Sequence, residues 1–299
     1  MSQISTSHLS APLLWAALFG IGLAWGSTQL LSKLTVLGGH HPLGISFAST
    51  SLGAGIVTLV LLGRGLPLPL SRRHLVYYAI CGLTGTAAPN YVSYMVISEL
   101  PVGVVSIILV AVPMATFLAA LLFRLERPEP RRFLGLGAGA LAVVLLVLPE
   151  ASLTKAGDGF WVLIALIPVL CYTIENIYIA KACPENTGAL QTLCGLSWAA
   201  LIFITPAAWV SGSWMDLGAD PGSTWAMAAM TVMHLVAYGG FVWLIGRGGP
   251  VFAAQVSYVV TLTGVVLGIV ALGEAHSGWV WASLVTMLAG LALVQPRQA

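Results

Sequence analysis

The chain has 299 residues, of which 58% are apolar and only 7% charged, with twelve basic and ten acidic side chains and a net charge of +2. A soluble domain carries about 25% charged residues, so this chain could not cover a water-facing surface of its size. These numbers exclude a cytosolic enzyme, a secreted disulfide scaffold, a disordered chain and a nucleic-acid binder, and leave an all-α integral membrane protein whose first partner is the lipid bilayer. The four cysteines form no CxxC or Cys/His ligand pattern, so no metal and no other cofactor is expected.

A bilayer core takes about 20 apolar residues per helix. Ten such runs are predicted: 12–34, 43–63, 74–97, 101–124, 131–149, 160–181, 188–211, 224–246, 249–273 and 277–295. The first follows no Lys or Arg and outruns a signal-peptide core, so it is read as a retained span. It carries Trp25 and Gln29 one turn apart, near mid-membrane. The third span holds Asn90 and Tyr94 beside Pro89, which frees a backbone carbonyl one turn back. Such irregular backbone is tolerated next to protein or a wet cavity. Pro113 in the fourth span and Pro168 in the sixth are candidate kinks.

The sixth span carries Tyr172, Glu175 and Asn176. Glu175 lies six residues before Lys181, so roughly 9 Å of helix separates it from the span end. A carboxylate at that depth costs about 2.5–3.5 kcal/mol unless it finds a partner or a wet cavity. Glu175 is therefore a candidate for substrate contact, for proton coupling, or for bonding between helices alone. Trp198 lies centrally in the seventh span. His234 and Tyr238 share a face of the eighth, and His234 is a second proton-coupling candidate because imidazole titrates near neutrality. Gln255 and Tyr258 stand three apart in the ninth span, where Gly264 and Gly268 form a GxxxG pattern for close helix packing. The candidate substrate-binding set is thus Trp25, Gln29, Asn90, Tyr94, Tyr172, Glu175, Asn176, Trp198, His234, Tyr238, Gln255 and Tyr258.

The links give the orientation. Ten Lys and Arg, Arg64 through Arg297, fall on the side of the even-numbered links, against Lys33 and Lys155 on the other, which places both termini in the cytoplasm. Trp161, Trp209, Trp214, Trp225, Trp279 and Trp281 fall near the outer ends as an aromatic belt.

The two halves also match at an offset of about 148 residues: LPVGVVSIILVAVPMATFLAALLFRLE at 100–126 against GGPVFAAQVSYVVTLTGVVLGIVALGE at 248–274. LAWGSTQLLSK at 23–33 similarly answers LCYTIENIYIAK at 170–181, with Trp25 opposite Tyr172 and Gln29 opposite Asn176. Five spans per half is an odd number, and the charge bias of matching links reverses. Residues 1–149 and 150–299 are therefore expected to form two five-helix repeats of inverted topology within one membrane domain, with a site near the midplane between them.

These features, with the WGS of the first span, the stretch from Pro113 to Glu126 and the LGE at 272–274, resemble the drug/metabolite transporter superfamily, EamA-type branch. The likeness covers nearly the whole chain. It departs at Thr261, which stands where the first half has Pro113, and at Tyr172 and Glu175, where the family's sixth span is usually uncharged. It implies a secondary carrier of small metabolites in the bacterial inner membrane, often an exporter of amino acids or related compounds. The aromatic and amide residues suit an amino acid, an amine or a quaternary ammonium compound, with protons as the candidate coupling ion. The alternatives are an intramembrane enzyme, for which no HExxH or GxSxG is present, and a channel or structural helix bundle, for which no charge ring or filter loop is present.

Overall fold

The computed structural model describes residues 11–109, 111–125, 127–147, 158–275 and 277–293. Glu126, Lys155, Arg297 and the junction of the two expected halves at 149/150 lie outside them. The described residues form α-helices and one π-helix, with no strand among them. In chain order the helices are α1 (Ala11–Leu37), α2 (Pro42–Gly63), α3 (Arg72–Gly82), the π-helix Leu83–Ala87, α4 (Ala88–Glu99), α5 (Val102–Ile108), α6 (Ala111–Leu122) and α7 (Pro130–Val147). There follow α8 (Asp158–Ile164), α9 (Leu166–Ala182), α10 (Ala189–Ser211), α11 (Pro221–Gly248), α12 (Pro250–Ala254), α13 (Val256–Leu272) and α14 (Gly278–Leu293). Among the described residues, seven stretches are long and apolar enough to cross a membrane: Ala11–Leu37, Pro42–Gly63, Val102–Leu122, Phe160–Ala182, Ala189–Ser211, Pro221–Gly248 and Pro250–Leu272.

The breaks inside these stretches have local causes. The π-helix Leu83–Ala87 ends two residues before Pro89, whose missing N–H leaves the carbonyl of Gly85 without its α-helical donor. The N–H of Ala88 reaches instead to the carbonyl of Leu83, five residues back. Pro113 and Pro168 each lie a few residues beyond a helix break, between α5 and α6 and between α8 and α9. The break between α12 and α13 has no proline. There the Gln255 N–H donates to the carbonyl of Phe252 at 3.0 Å, a tighter turn.

Small residues let the helices meet closely. Gly22 and Gly26 on α1 face Val259 and Thr263 on α13, and a Cβ at either glycine would overlap the opposing side chain. Position rises along both helices together, so α1 and α13 run parallel. Gly38 just past α1 instead meets Ser223 at the start of α11, and Ile21 meets Gly240 near its end, so α1 and α11 run antiparallel. The remaining main pairings are α2 and α3 on α10, α6 on α9, α5 on α13, and α7 on α14.

The GxxxG pattern on α13 is not a bare helix–helix contact. Gly264 faces the Ser106 hydroxyl of α5, and Gly268 leaves room for the Glu274 carboxylate. Thr261, where the first half has proline, donates to the carbonyl of Ser106 at 2.5 Å and so ties α13 to α5.

The link between α4 and α5 is held from two sides. The Lys33 ammonium donates to the carbonyls of Ile97 (2.6 Å) and Leu100 (3.4 Å) at the end of α4. Glu274 accepts from the N–H groups of Val102 (2.9 Å) and Gly103 (3.2 Å) at the start of α5. A cation at a helix C-terminus and an anion at an N-terminus are the favourable arrangement for both dipoles. Lys33 comes from the first half of the chain and Glu274 from the second.

Candidate functional site

Among the described residues, two cavities inside the bundle meet at three side chains that stand between them. The first has about 740 Å³ of empty space, its open mouth included, among α1, α2, α4, α9, α10 and α11. The second has about 490 Å³ on the same measure, among α1, α6, α9, α11, α12 and α13. Trp25, Gln29 and Tyr172 line both. The first cavity extends to Ser32 and Ile97, toward the finishing ends of α1 and α4. The second extends to Asn176, Phe241 and Ser257, toward the finishing ends of α9 and α11. Because α1 and α11 are antiparallel, those are opposite ends of the bundle.

Sequence matching set Trp25 opposite Tyr172, and the two rings touch at 6.5 Å between centroids. Trp25 also meets His234 (5.6 Å), Tyr238 (6.0 Å) and Phe241 (5.3 Å), each edge to face. The indole is therefore wedged by rings from α9 and α11.

Of the residues singled out from sequence, Trp25, Gln29, Asn90, Tyr94, Tyr172 and His234 line the first cavity, and Asn176 joins Trp25, Gln29 and Tyr172 on the second. Asn176 donates to Thr116 Oγ1 at 3.1 Å, while its Oδ1 has no partner among the described residues. Thr50, on the first cavity, likewise has an unpartnered hydroxyl. A buried polar atom without a partner favours a ligand that supplies one.

Five of the twelve residues line neither cavity. Glu175 is only 1% exposed and accepts a hydrogen bond from the Tyr238 hydroxyl. Its carboxylate rests on the backbone of Gly85 in the π-helix, where any Cβ would overlap it. Tyr238 is itself fully buried. Gln255, at the break between α12 and α13, donates to the carbonyl of Val251 in α12 at 3.1 Å, and Tyr258 packs its hydroxyl toward Gly139 of α7. Trp198 is 48% exposed on the outside of the bundle, its indole N–H donating to Thr58 at 2.9 Å.

Sequence reading missed the hydroxyl lining. Thr28, Ser32, Ser49, Thr86, Ser93, Ser197 and Thr231 join Thr50 around the first cavity. Thr28 and Ser32 are four apart on α1, and Ser49 and Thr50 sit in the polar run at 49–51 of α2. That spacing was the available signal.

Among the described residues, no Lys, Arg, Asp or Glu lines either cavity. No group of three or more His, Cys, Asp or Glu is placed there to hold a metal. The chemistry on offer is aromatic faces, hydroxyls, amides and one imidazole. That set can bind and orient a small solute.

Residues 12–148 match the EamA-like transporter family. Its members are transporters rather than enzymes, and with the apolar helices the match makes this an integral membrane protein. No curated protein matches the chain. A solved crystal structure described only as that of a protein aligns over 95% of this chain and 96% of its own, with a TM-score of 0.72 at 17% identity. At that identity the likeness is one of fold.

Proposed function

We propose, from the match of residues 12–148 to the EamA-like transporter family, that the chain is a member of the drug/metabolite transporter superfamily and a secondary carrier of a small metabolite working by alternating access. The observation that carries this reading is the pair of cavities parted by Trp25, Gln29 and Tyr172. A solute seated against one side of that partition would reach the other when the three side chains move. The cargo we assign is an amino acid, an amine or a quaternary ammonium compound, and the direction is export, as the resemblance implies. Cavity walls without fixed charge favour the zwitterionic members of that set, because an unpaired ion would enter at a desolvation cost.

The architecture we propose is ten crossings in two inverted repeats, residues 1–149 and 150–299, with both termini in the cytoplasm of a bacterial inner membrane. The three crossings beyond the seven long apolar stretches fall on α3 through α4, on α7 and on α14. The parallel packing of α1 on α13 and its antiparallel packing on α11 agree with that count.

Glu175 is the proposed proton site, with His234 as the second candidate. Glu175 touches no cavity, but its partner Tyr238 abuts Trp25, which lines both. Gain or loss of a proton at the carboxyl would change that bond and so the seat of the indole. Proteoliposomes loaded with candidate amino acids, amines and betaines test the reading. Saturable uptake with counterflow is expected. Glu175→Gln should retain counterflow while losing acceleration by a pH gradient. Flux linear in concentration without counterflow would refute the carrier, and undiminished pH-driven flux in Glu175→Gln would remove the proton role.

A further inference from the structure

Away from the cavities, one recess at the end of the bundle gathers three cations. Arg72 and Arg73 occupy the first turn of α3, Lys181 the last turn of α9, and Val76, Tyr178 and Ala182 complete the wall. The three cationic side chains are exposed, and no acidic residue lines the recess among the described residues. None of the three forms an ion pair among the described residues. The Lys181 ammonium stands 4.7 Å from the centroid of the Phe123 ring, which holds its long chain in place.

Backbone chemistry adds to the charge. Ser71 at the head of α3 does not cap the helix. Its hydroxyl pairs with His74 Nδ1 at 2.7 Å, so it does not cap the first N–H groups of α3. A helix start of this kind attracts anions, and here it coincides with two guanidinium groups. One turn further along α3, Leu75 and Val76 are exposed apolar side chains, 51% and 48% accessible. Charge at the helix ends and exposed hydrocarbon next to it is the profile of a membrane boundary.

We propose that this recess binds the phosphate headgroup of an anionic glycerophospholipid, with an acyl chain lying along Val76 and Tyr178. The three cations answer the phosphate, and the apolar wall selects a lipid over a free phosphate. Basic recesses between membrane helices recognise headgroups by this combination.

The test uses detergent-purified full-length protein. Thermal unfolding is followed with phosphatidylglycerol, phosphatidylcholine or glycerol 3-phosphate added, and native mass spectrometry counts retained lipid. Phosphatidylglycerol should raise the unfolding temperature and remain bound, while phosphatidylcholine and glycerol 3-phosphate should do neither. The variant R72Q/R73Q/K181Q should bind phosphatidylglycerol about 100-fold more weakly, roughly fivefold for each charge. Should that variant fail to fold, K181Q alone should still show about a fivefold loss. Equal stabilisation by phosphatidylcholine, an unchanged phosphatidylglycerol affinity in either variant, or full stabilisation by glycerol 3-phosphate alone would overturn the proposal. None of these readouts depends on transport.

Discussion

Gly85 shows how one missing Cβ positions an acid. The residue sits in the π-helix, and the Glu175 carboxylate occupies the space its side chain would take. Gly85→Ala must therefore displace either the carboxyl or the π-helix, and overpacking of this kind costs about 1–3 kcal/mol. We expect a lower unfolding temperature in a detergent melt. Reversal of the loss in the double variant Gly85→Ala/Glu175→Ala would trace it to this contact, whereas an equal loss in both would place the strain elsewhere. Sequence alone made Pro89 and Glu175 conspicuous separately. That they meet through Gly85 depends on packing α3 and α4 against α9, which no local pattern records.

At the scale of elements, caps and breaks matter more than hydropathy. Asp220 heads α11, accepting from the N–H groups of Gly222 (3.2 Å) and Ser223 (3.0 Å). The Ser223 side chain and these backbone donors hold its carboxyl below the usual aspartate range. A depressed folded value means that the stabilisation is present above the ordinary aspartate range and fades as pH falls through the folded value. Unfolding temperature measured from neutral pH down to about pH 3 should fall less steeply for Asp220→Ala than for the parent, and the two curves should converge in acid. Parallel curves would show that this cap does not titrate with folding. Proline signalled the irregular turns near Pro89, Pro113 and Pro168, whereas the break at Gln255 carries no such mark. The hydroxyl lining was equally hard to read. Thr28, Ser197 and Thr231 donate to carbonyls of their own helices, as serine and threonine do in any apolar helix, so residue type does not separate lining from filler.

Over the whole molecule, the partition at Trp25 stands between a cavity that extends toward one end of the bundle and a cavity that extends toward the other. Removing the indole in Trp25→Ala joins the cavities. The expected outcome is a leak: flux that loses saturation and counterflow, measured in the same proteoliposomes, with unfolding lowered by about 3–5 kcal/mol for loss of a large, ring-packed side chain. Retained counterflow would mean that the barrier lies elsewhere. The apolar runs and the pairing of Trp25 with Tyr172 were readable because hydropathy and repeat spacing are written along the chain. The exclusion of Glu175, Tyr238, Gln255, Tyr258 and Trp198 from the cavity walls was not, since depth in a span says nothing about which way a side chain faces.

The contact of α1 with α11 and α13 also bears on biosynthesis. The first helix leaves the ribosome with Thr28, Gln29 and Ser32 already on it, yet α11 begins roughly 180 residues later. At about 5–20 residues per second the newborn helix waits on the order of 10–40 s for its neighbours. During that interval its hydroxyls and amide must be sheltered by the insertion machinery or by earlier helices such as α2 and α4, so chain truncations ending before α11 should be substrates for membrane quality control.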